Sequence, residues 1–380
     1  MTSIDGSTFI DIARDLAKQI AARADAADKQ GRLPPEDIEA LKTSGYLGLT
    51  IPQEYGGANL PMRDCMAAQL ELAQGSGSTA LVAGMQMHIF GHEREMRAWP
   101  AEIYERFCRE AAGGGLFNSA ATEPELGSPS RGAFFAATIE PQGEGYVVNG
   151  HKTWTTGGRF LTHLLVSATF EGDPAMILVE GNRDGIEWVE TWGDGLSLRA
   201  SESHDVYFRD VWVPHENFVG INLRGKQNAW FPMMLGATYL GIALAARDSV
   251  IQYALERVPT ALGKPIATLP KIQRQIGEID MALQAARALL LEAAAGWDGE
   301  HYARIATAKH FAIEVANEMT DKALRIAGGA GVTRDLPLER YFRDVRAGSM
   351  QPPSGDTALE IIGRGAIERI GSVGNTAQLL

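Results

Sequence analysis

Four stretches of this 380-residue chain combine side chains that could do chemistry. TEPELGSPSRG, residues 122–132, places hydroxyls at Thr122, Ser128 and Ser130 beside Gly127 and Gly132, where a backbone can approach a ligand closely. The same composition suits a surface loop of turn formers. KTWTTGG, residues 152–158, offers an indole and hydroxyls at a strand end, able to line a flat heterocycle or to pack a sheet edge. RIAGGAGVTRDLPLERYFRD, residues 325–344, follows a helical pattern with Gly328, Gly329 and Gly331. It reads either as an extended glycine helix stop or as a bare-backbone platform for a cofactor's phosphates, with Arg343 or Arg346 near an anion. Its spacing is not GxGxxG after a strand, which disfavours a Rossmann site. His88 and His92 stand four apart on one face of a predicted helix; without the glutamate of HExxH or an evident third ligand, no metal is expected. Buried or half-exposed histidines, or a base near a cofactor, are the other readings.

The elements that must position these residues follow from their periods. Up to about residue 108 the period is helical, with Ile10, Ala13, Leu16, Ile20 and Ala24 on one face and further helices over 62–74 and 78–96. After Gly113-Gly114-Gly115 the pattern alternates as in strands up to Pro214, and Asn149-Gly150 predicts a tight turn between two of them, in closed or sandwiched sheets. Helical periods then return over 230–257, 270–297, 301–326 and 356–370, the pattern of a four-helix bundle. The expected organisation is therefore mainly α within an α+β class: a helical domain over 1–115, a β domain over 116–222 and a four-helix bundle over 223–380.

Composition narrows the function. Apolar residues are 45% and charged residues 22%, and the net charge of −12 argues against nucleic acid or an anionic membrane as the main partner. The apolar windows LTHLLVSATF and LGATYLGIALAA are shorter than the ~20 residues of a membrane span. Two cysteines and no secretory pattern predict a reducing, cytoplasmic setting. GxSxG and Walker A patterns are missing from the sequence.

Taken in order, GYLGLTIPQEYGG, TEPELGSPSRG, NGHKTWTTGG, LSLRASESHDVYFRDVWVP and IAGGAGVTRDLPLERYFRD resemble the acyl-CoA dehydrogenase family over nearly the whole chain. The resemblance implies helical, β and four-helix-bundle domains and FAD as cofactor. Thr122 and Ser128 match residues that hydrogen-bond the flavin and its phosphates, Trp154 the indole beside the isoalloxazine, and Thr156 the hydroxyl at flavin N5. Gly328, Gly329 and Gln273 match contacts to the FAD of a neighbouring subunit, which implies a homodimer or homotetramer. ERVPTALGKPI departs from the family's usual spacing toward the adenine end.

The larger departure is at the reaction centre. Pro352 falls where the family carries its catalytic glutamate, in MQPPSGDTALEIIGR, and Phe231 falls in the alternative glutamate position of a subgroup. Proline has neither a carboxylate nor an N–H to hold an enolate oxygen. The stand-ins, in order, are His88, Asp356 and His92, with N-capping of the last helix as the other role for Asp356. A base at His88 predicts activity that rises through a pKa near ~6–7. Related flavin monooxygenases of this fold use histidines, and Gln351 occupies their final-loop histidine position. Three functions follow. The first is α,β-dehydrogenation of an acyl-CoA or related activated acyl substrate, with hydride transfer to FAD N5 and an electron-transfer flavoprotein as acceptor. The second is a flavin-dependent monooxygenase or oxidase, and the third a non-catalytic flavin- or ligand-binding homologue.

Overall fold

The computed structural model describes residues 6–125, 135–223 and 227–377. Five helices come first: α1 (Gly6–Gln30), α2 (Pro35–Thr43), α3 (Met62–Gly75), α4 (Gly77–Met96) and α5 (Ala101–Ala112). Alternating residues then form β1 (Phe117–Ala120), β2 (Thr138–Gln142), β3 (Gly145–Thr155), β4 (His163–Phe170), β5 (Asp173–Glu180), β6 (Ile186–Val189), β7 (His204–Pro214) and β8 (Phe218–Ile221). The chain closes with α6 (Trp230–Glu256), α7 (Pro270–Ala295), α8 (Tyr302–Ala327), the short α9 (Leu338–Asp344) and α10 (Gly355–Ala377).

Among the described residues the strands make one sheet in the order β6-β7-β3-β2-β4-β5-β8, with β1 parallel to β4. The ladder leaves β6 and β8 as edges and does not close. Asn149-Gly150 is not the expected turn. It lies inside β3 at a bulge opposite β7, while the hairpin reverses at Gly143-Glu144, between the paired residues Gln142 and Gly145. The Gly150 signal reports a close approach: a Cβ there would sit 2.4 Å from Ala137 Cβ. Asn149 spans the bulge, its Nδ2 donating to Asp210 Oδ1 at 3.0 Å and its Oδ1 accepting from the Asp210 amide at 2.8 Å.

The helices that flank the sheet are joined through α6, which is apolar on nearly every face and buried from Trp230 to Ala246 apart from Phe231. It is the one described helix long and apolar enough to cross a membrane, and it is the core of the bundle. Glycines at 77, 84 and 91 of α4 let it lie against α6: a Cβ on Gly84 would come 2.4 Å from Met234 Sδ, and one on Gly91 2.4 Å from the Trp230 indole. Gln86 fixes α4 to the sheet by accepting from the Phe117 amide at 2.8 Å. The packing of α4 on α6 carries His88 to the start of the bundle.

Candidate active site

The strand-end half of the site begins where β3 stops. Trp154 takes φ +56, and Gly157, at φ +97, begins the turn that follows. The indole is 61% exposed, an unusual place for the largest apolar side chain. Thr156, two residues on, is buried. Its hydroxyl meets Ser203 Oγ at 2.9 Å, which meets Ser201 Oγ at 2.7 Å, and its carbonyl accepts from Asn118 Nδ2 at 2.8 Å. The backbone is fixed from below while a flat ring stands open above it.

Thr122 reaches this strand end through its carbonyl, which accepts from the Thr153 amide at 2.9 Å. Beside it, the buried Glu123 carboxylate takes the Lys152 ammonium at 2.5 Å and the amides of Ala136 and Ala137 at 2.7 and 3.0 Å. Burial alone would raise the Glu123 pKa; Lys152 and the two amides outweigh it and hold the carboxyl below its ordinary value. Glu123 therefore ties together both flanks of segment 126–134 next to Trp154. Ser128, with Ser130, lies outside the described residues. The sequence pointed to the hydroxyls here and missed this ion pair, whose partners are 29 residues apart with no local signal to join them.

The second half lies where α4 meets the start of α6. The His88 ring packs edge-on against Phe231, centroids 4.9 Å apart, so the first-ranked base candidate touches the alternative glutamate position. Asn228 joins them: its Oδ1 accepts from the Phe231 amide at 3.1 Å, and its Nδ2 faces His88 Nδ1 at 3.3 Å. Burial, with the His92 imidazole adding to it, pulls the His88 pKa down to about 3, and burial pulls His92 down to about 4. Both are neutral imidazoles at neutral pH. The expected activity limb near ~6–7 has no source in His88.

The loop before α10 is held from the bundle. Tyr239 Oη donates to Gln351 Oε1 at 2.7 Å, and the buried Lys309 ammonium donates to the carbonyls of Gly348, Gln351 and Pro353 at 3.1, 2.7 and 2.9 Å. Burial lowers the Lys309 pKa to about 8. Pro352 sits exposed on this clamped loop. Asp356 is exposed in the first turn of α10 rather than ahead of it, and no capping hydrogen bond from its side chain is found among the described residues. There its carboxylate complements the positive end of the helix dipole.

Gln273, Gly328 and Gly329 come from the start of α7 and the end of α8. Gln273 is exposed on the first turn of α7, its Nε2 donating to Ala267 O at 3.0 Å. Gly328 (φ +61) and Gly329 are exposed, with nothing within 4 Å of a Cβ built on either. Arg343 is not left for an anion: it pairs with Asp28 at 2.7 Å and Glu339 at 2.7 Å and joins α9 to α1. Arg346 donates to Asn317 Oδ1 at 2.9 Å.

Three consecutive family models match the chain: the N-terminal domain of acyl-CoA dehydrogenases over residues 6–119, the middle domain over 118–211 and the C-terminal domain over 224–367. YdbM of Bacillus subtilis is 34% identical, covering 93% of this chain and 95% of its own. The 3-(aryl)acrylate reductase of Clostridium sporogenes is 30% identical, covering 88% and 91%. The structure of butyryl-CoA dehydrogenase from Megasphaera elsdenii superposes with a TM-score of 0.84 over 95% of this chain and 98% of that one, at 23% identity, a likeness of fold. The chain belongs to the acyl-CoA dehydrogenase family and is an oxidoreductase of that flavin-dependent family.

Proposed function

We propose that the chain is an FAD-dependent oxidoreductase acting on an acyl-CoA or a related activated acyl compound, by a route that uses no carboxylate base at position 352 or 231. The observation that carries this reading is the strand end: an exposed indole held at positive φ above a buried chain of hydroxyls from Thr156 to Ser201. A flavin fits there, because its ring would cover the indole and its polar edge would meet Thr156. When bound, the flavin would supply hydride transfer to or from the acyl chain.

The protein's own groups do the rest. Trp154 offers an apolar face that excludes water from the ring. Thr156, braced by Ser203, presents a hydroxyl whose orientation is set before ligand arrives. The Glu123–Lys152 pair, with the Ala136 and Ala137 amides on Glu123, holds Thr122 beside that face. Gly328, Gly329 and Gln273 are too exposed to serve a site within their own chain, which supports their service to the FAD of a second copy. The exposed apolar residues Met281, Phe311, Met350, Leu359, Ile367 and Ile370 on or beside the bundle helices support a homodimer or homotetramer. An electron-transfer flavoprotein is the proposed acceptor. His88 is the group proposed to act beside the acyl chain, with Asp356 and His92 ranked behind it.

The clamped Pro352 and the neutral His88 also favour a second reading, a flavin monooxygenase or oxidase on the same fold. One experiment separates the readings. The protein is purified, its flavin identified after denaturation, and the bound flavin reduced without oxygen by a series of saturated acyl-CoAs. Stoichiometric FAD, bleaching by an acyl-CoA and slow re-oxidation in air support the first reading. Rapid re-oxidation supports the second, and a colourless protein that takes up no added FAD overturns both.

A further inference from the structure

We propose that Asn228 is a positioning residue that locks His88 in its Nε2–H tautomer, so that His88 serves as a hydrogen-bond donor to a substrate or flavin oxygen rather than as a proton-abstracting base. Its role rests on the α4–α6 contact being part of the reaction site; the tautomer itself does not.

The assignment follows from which groups can donate. The Phe231 amide can only donate, so the Asn228 atom 3.1 Å from it must be the carboxamide oxygen. This fixes the amide orientation, which geometry alone often leaves open. The NH2 group then faces His88 Nδ1 at 3.3 Å, and an amide NH2 can only donate. The His88 backbone carbonyl, an acceptor, also lies within reach of the ring; the Asn228 NH2 competes with it for Nδ1, and where Nδ1 offers its lone pair to that NH2 the neutral ring carries its proton on Nε2. Edge-on contact with Phe231 holds the ring plane, and the charged form is suppressed by burial between α4 and α6. Among the described residues no other residue takes a hydrogen bond from Nε2. A neutral imidazole with a fixed N–H stabilises negative charge developing on an oxygen; it has no lone pair at Nε2 with which to take a proton. That would supply, from α4, the donor that Pro352 lacks on the final loop.

Asn228→Asp is the discriminating change. It keeps the shape and the oxygen that caps Phe231, but its second oxygen can only accept, so His88 Nδ1 must carry a proton. The test is nitrogen-15 NMR of the full-length protein labelled at histidine, with the His88 resonances assigned by their loss in His88→Gln. The wild-type protein should show an unprotonated Nδ1 and a protonated Nε2, and Asn228→Asp should show Nδ1 protonated. A protonated Nδ1 in the wild-type protein, or ring signals unchanged in Asn228→Asp, would overturn the proposal. If that variant does not fold, Asn228→Ser keeps a capping oxygen without the NH2 donor and should give a mixture of tautomers; a pure Nε2–H ring there would equally overturn it. These readouts need no substrate, so they stand apart from any failure of acyl-CoA to reduce the flavin. Where an acyl-CoA does reduce it, Asn228→Asp should slow reduction by about 10²–10³ at saturation with little change in KM, the cost of losing one oxyanion donor. An unchanged rate would overturn the donor role.

Discussion

The two halves of the proposed site are built by different means. At the strand end, charge is buried and neutralised on the spot: Lys152 and Glu123 are both hidden, and each satisfies the other. At the His88 end of the α4–α6 contact the three side chains are neutral at neutral pH, and His88, Asn228 and Phe231 are arranged by one-way hydrogen bonds and ring packing, while the charges on that contact, Glu95 and Arg94, meet Trp230 instead. The first arrangement suits a fixed cradle for a permanent cofactor. The second suits a place where charge appears only during reaction, because a neutral donor costs little to bury and gains most from a developing oxyanion.

This contrast is broken hardest at the ion pair. Glu123→Gln leaves the Lys152 ammonium buried without its counter-charge, and a loss of about 3–5 kcal/mol is expected. Denaturant unfolding and flavin content measured together should both fall. Replacing His88 by Asn should leave flavin content largely intact, since His88 belongs to the other half.

Packing of α4 on α6 comes next. Gly91→Val puts a side chain into the Trp230 indole and should cost about 1–3 kcal/mol, read as a lower unfolding midpoint. Flavin reduction should slow as well, since the same contact seats His88.

Acid sharpens the contrast from the histidine side. His88, His92 and His163 are held by burial at about 3, 4 and 4, below the ordinary value of 6.5. Their folded values are depressed, so the unfolded chain binds more protons below about 6.5, and stability present above that pH is lost as pH falls. Asp344, raised to about 6 by burial, acts in the opposite direction, because the folded state then takes up a proton first. A net loss of about 4 kcal/mol between pH 7 and pH 5 is expected. Unfolding curves across that range check it, and His88→Phe should flatten the slope.

The smallest effect is expected at Thr156. Changing it to valine removes a hydroxyl from the Ser203–Ser201 chain at about 1 kcal/mol. Flavin reduction should slow while the unfolding midpoint moves little.

The strand-end half was more legible in the sequence than the other. Trp154, Thr156 and Thr122 belong to short motifs, and the change from a period of two to one of 3.6 marks where sheet gives way to bundle. Asn149-Gly150 misled because a missing side chain serves a bulge as well as a turn. The helix contact was written in Gly77, Gly84 and Gly91 at a spacing of seven, yet its partner is set only by the fold. Asn228, Tyr239 and Lys309 gave no signal at all. Each acts on a residue far along the chain, and their chemistry depends on which atom faces which.

A flavin site beside a reaction site with no titrating base at His88 has a kinetic signature. The most direct test is anaerobic single-turnover reduction of the bound flavin by a saturated acyl-CoA, followed across pH in the wild-type protein and in His88→Asn. Bleaching of an FAD chromophore with no rising limb near pH ~6–7 is expected, with a rate lowered by a similar factor at every pH in the variant. A limb in that range that disappears in His88→Asn would contradict it.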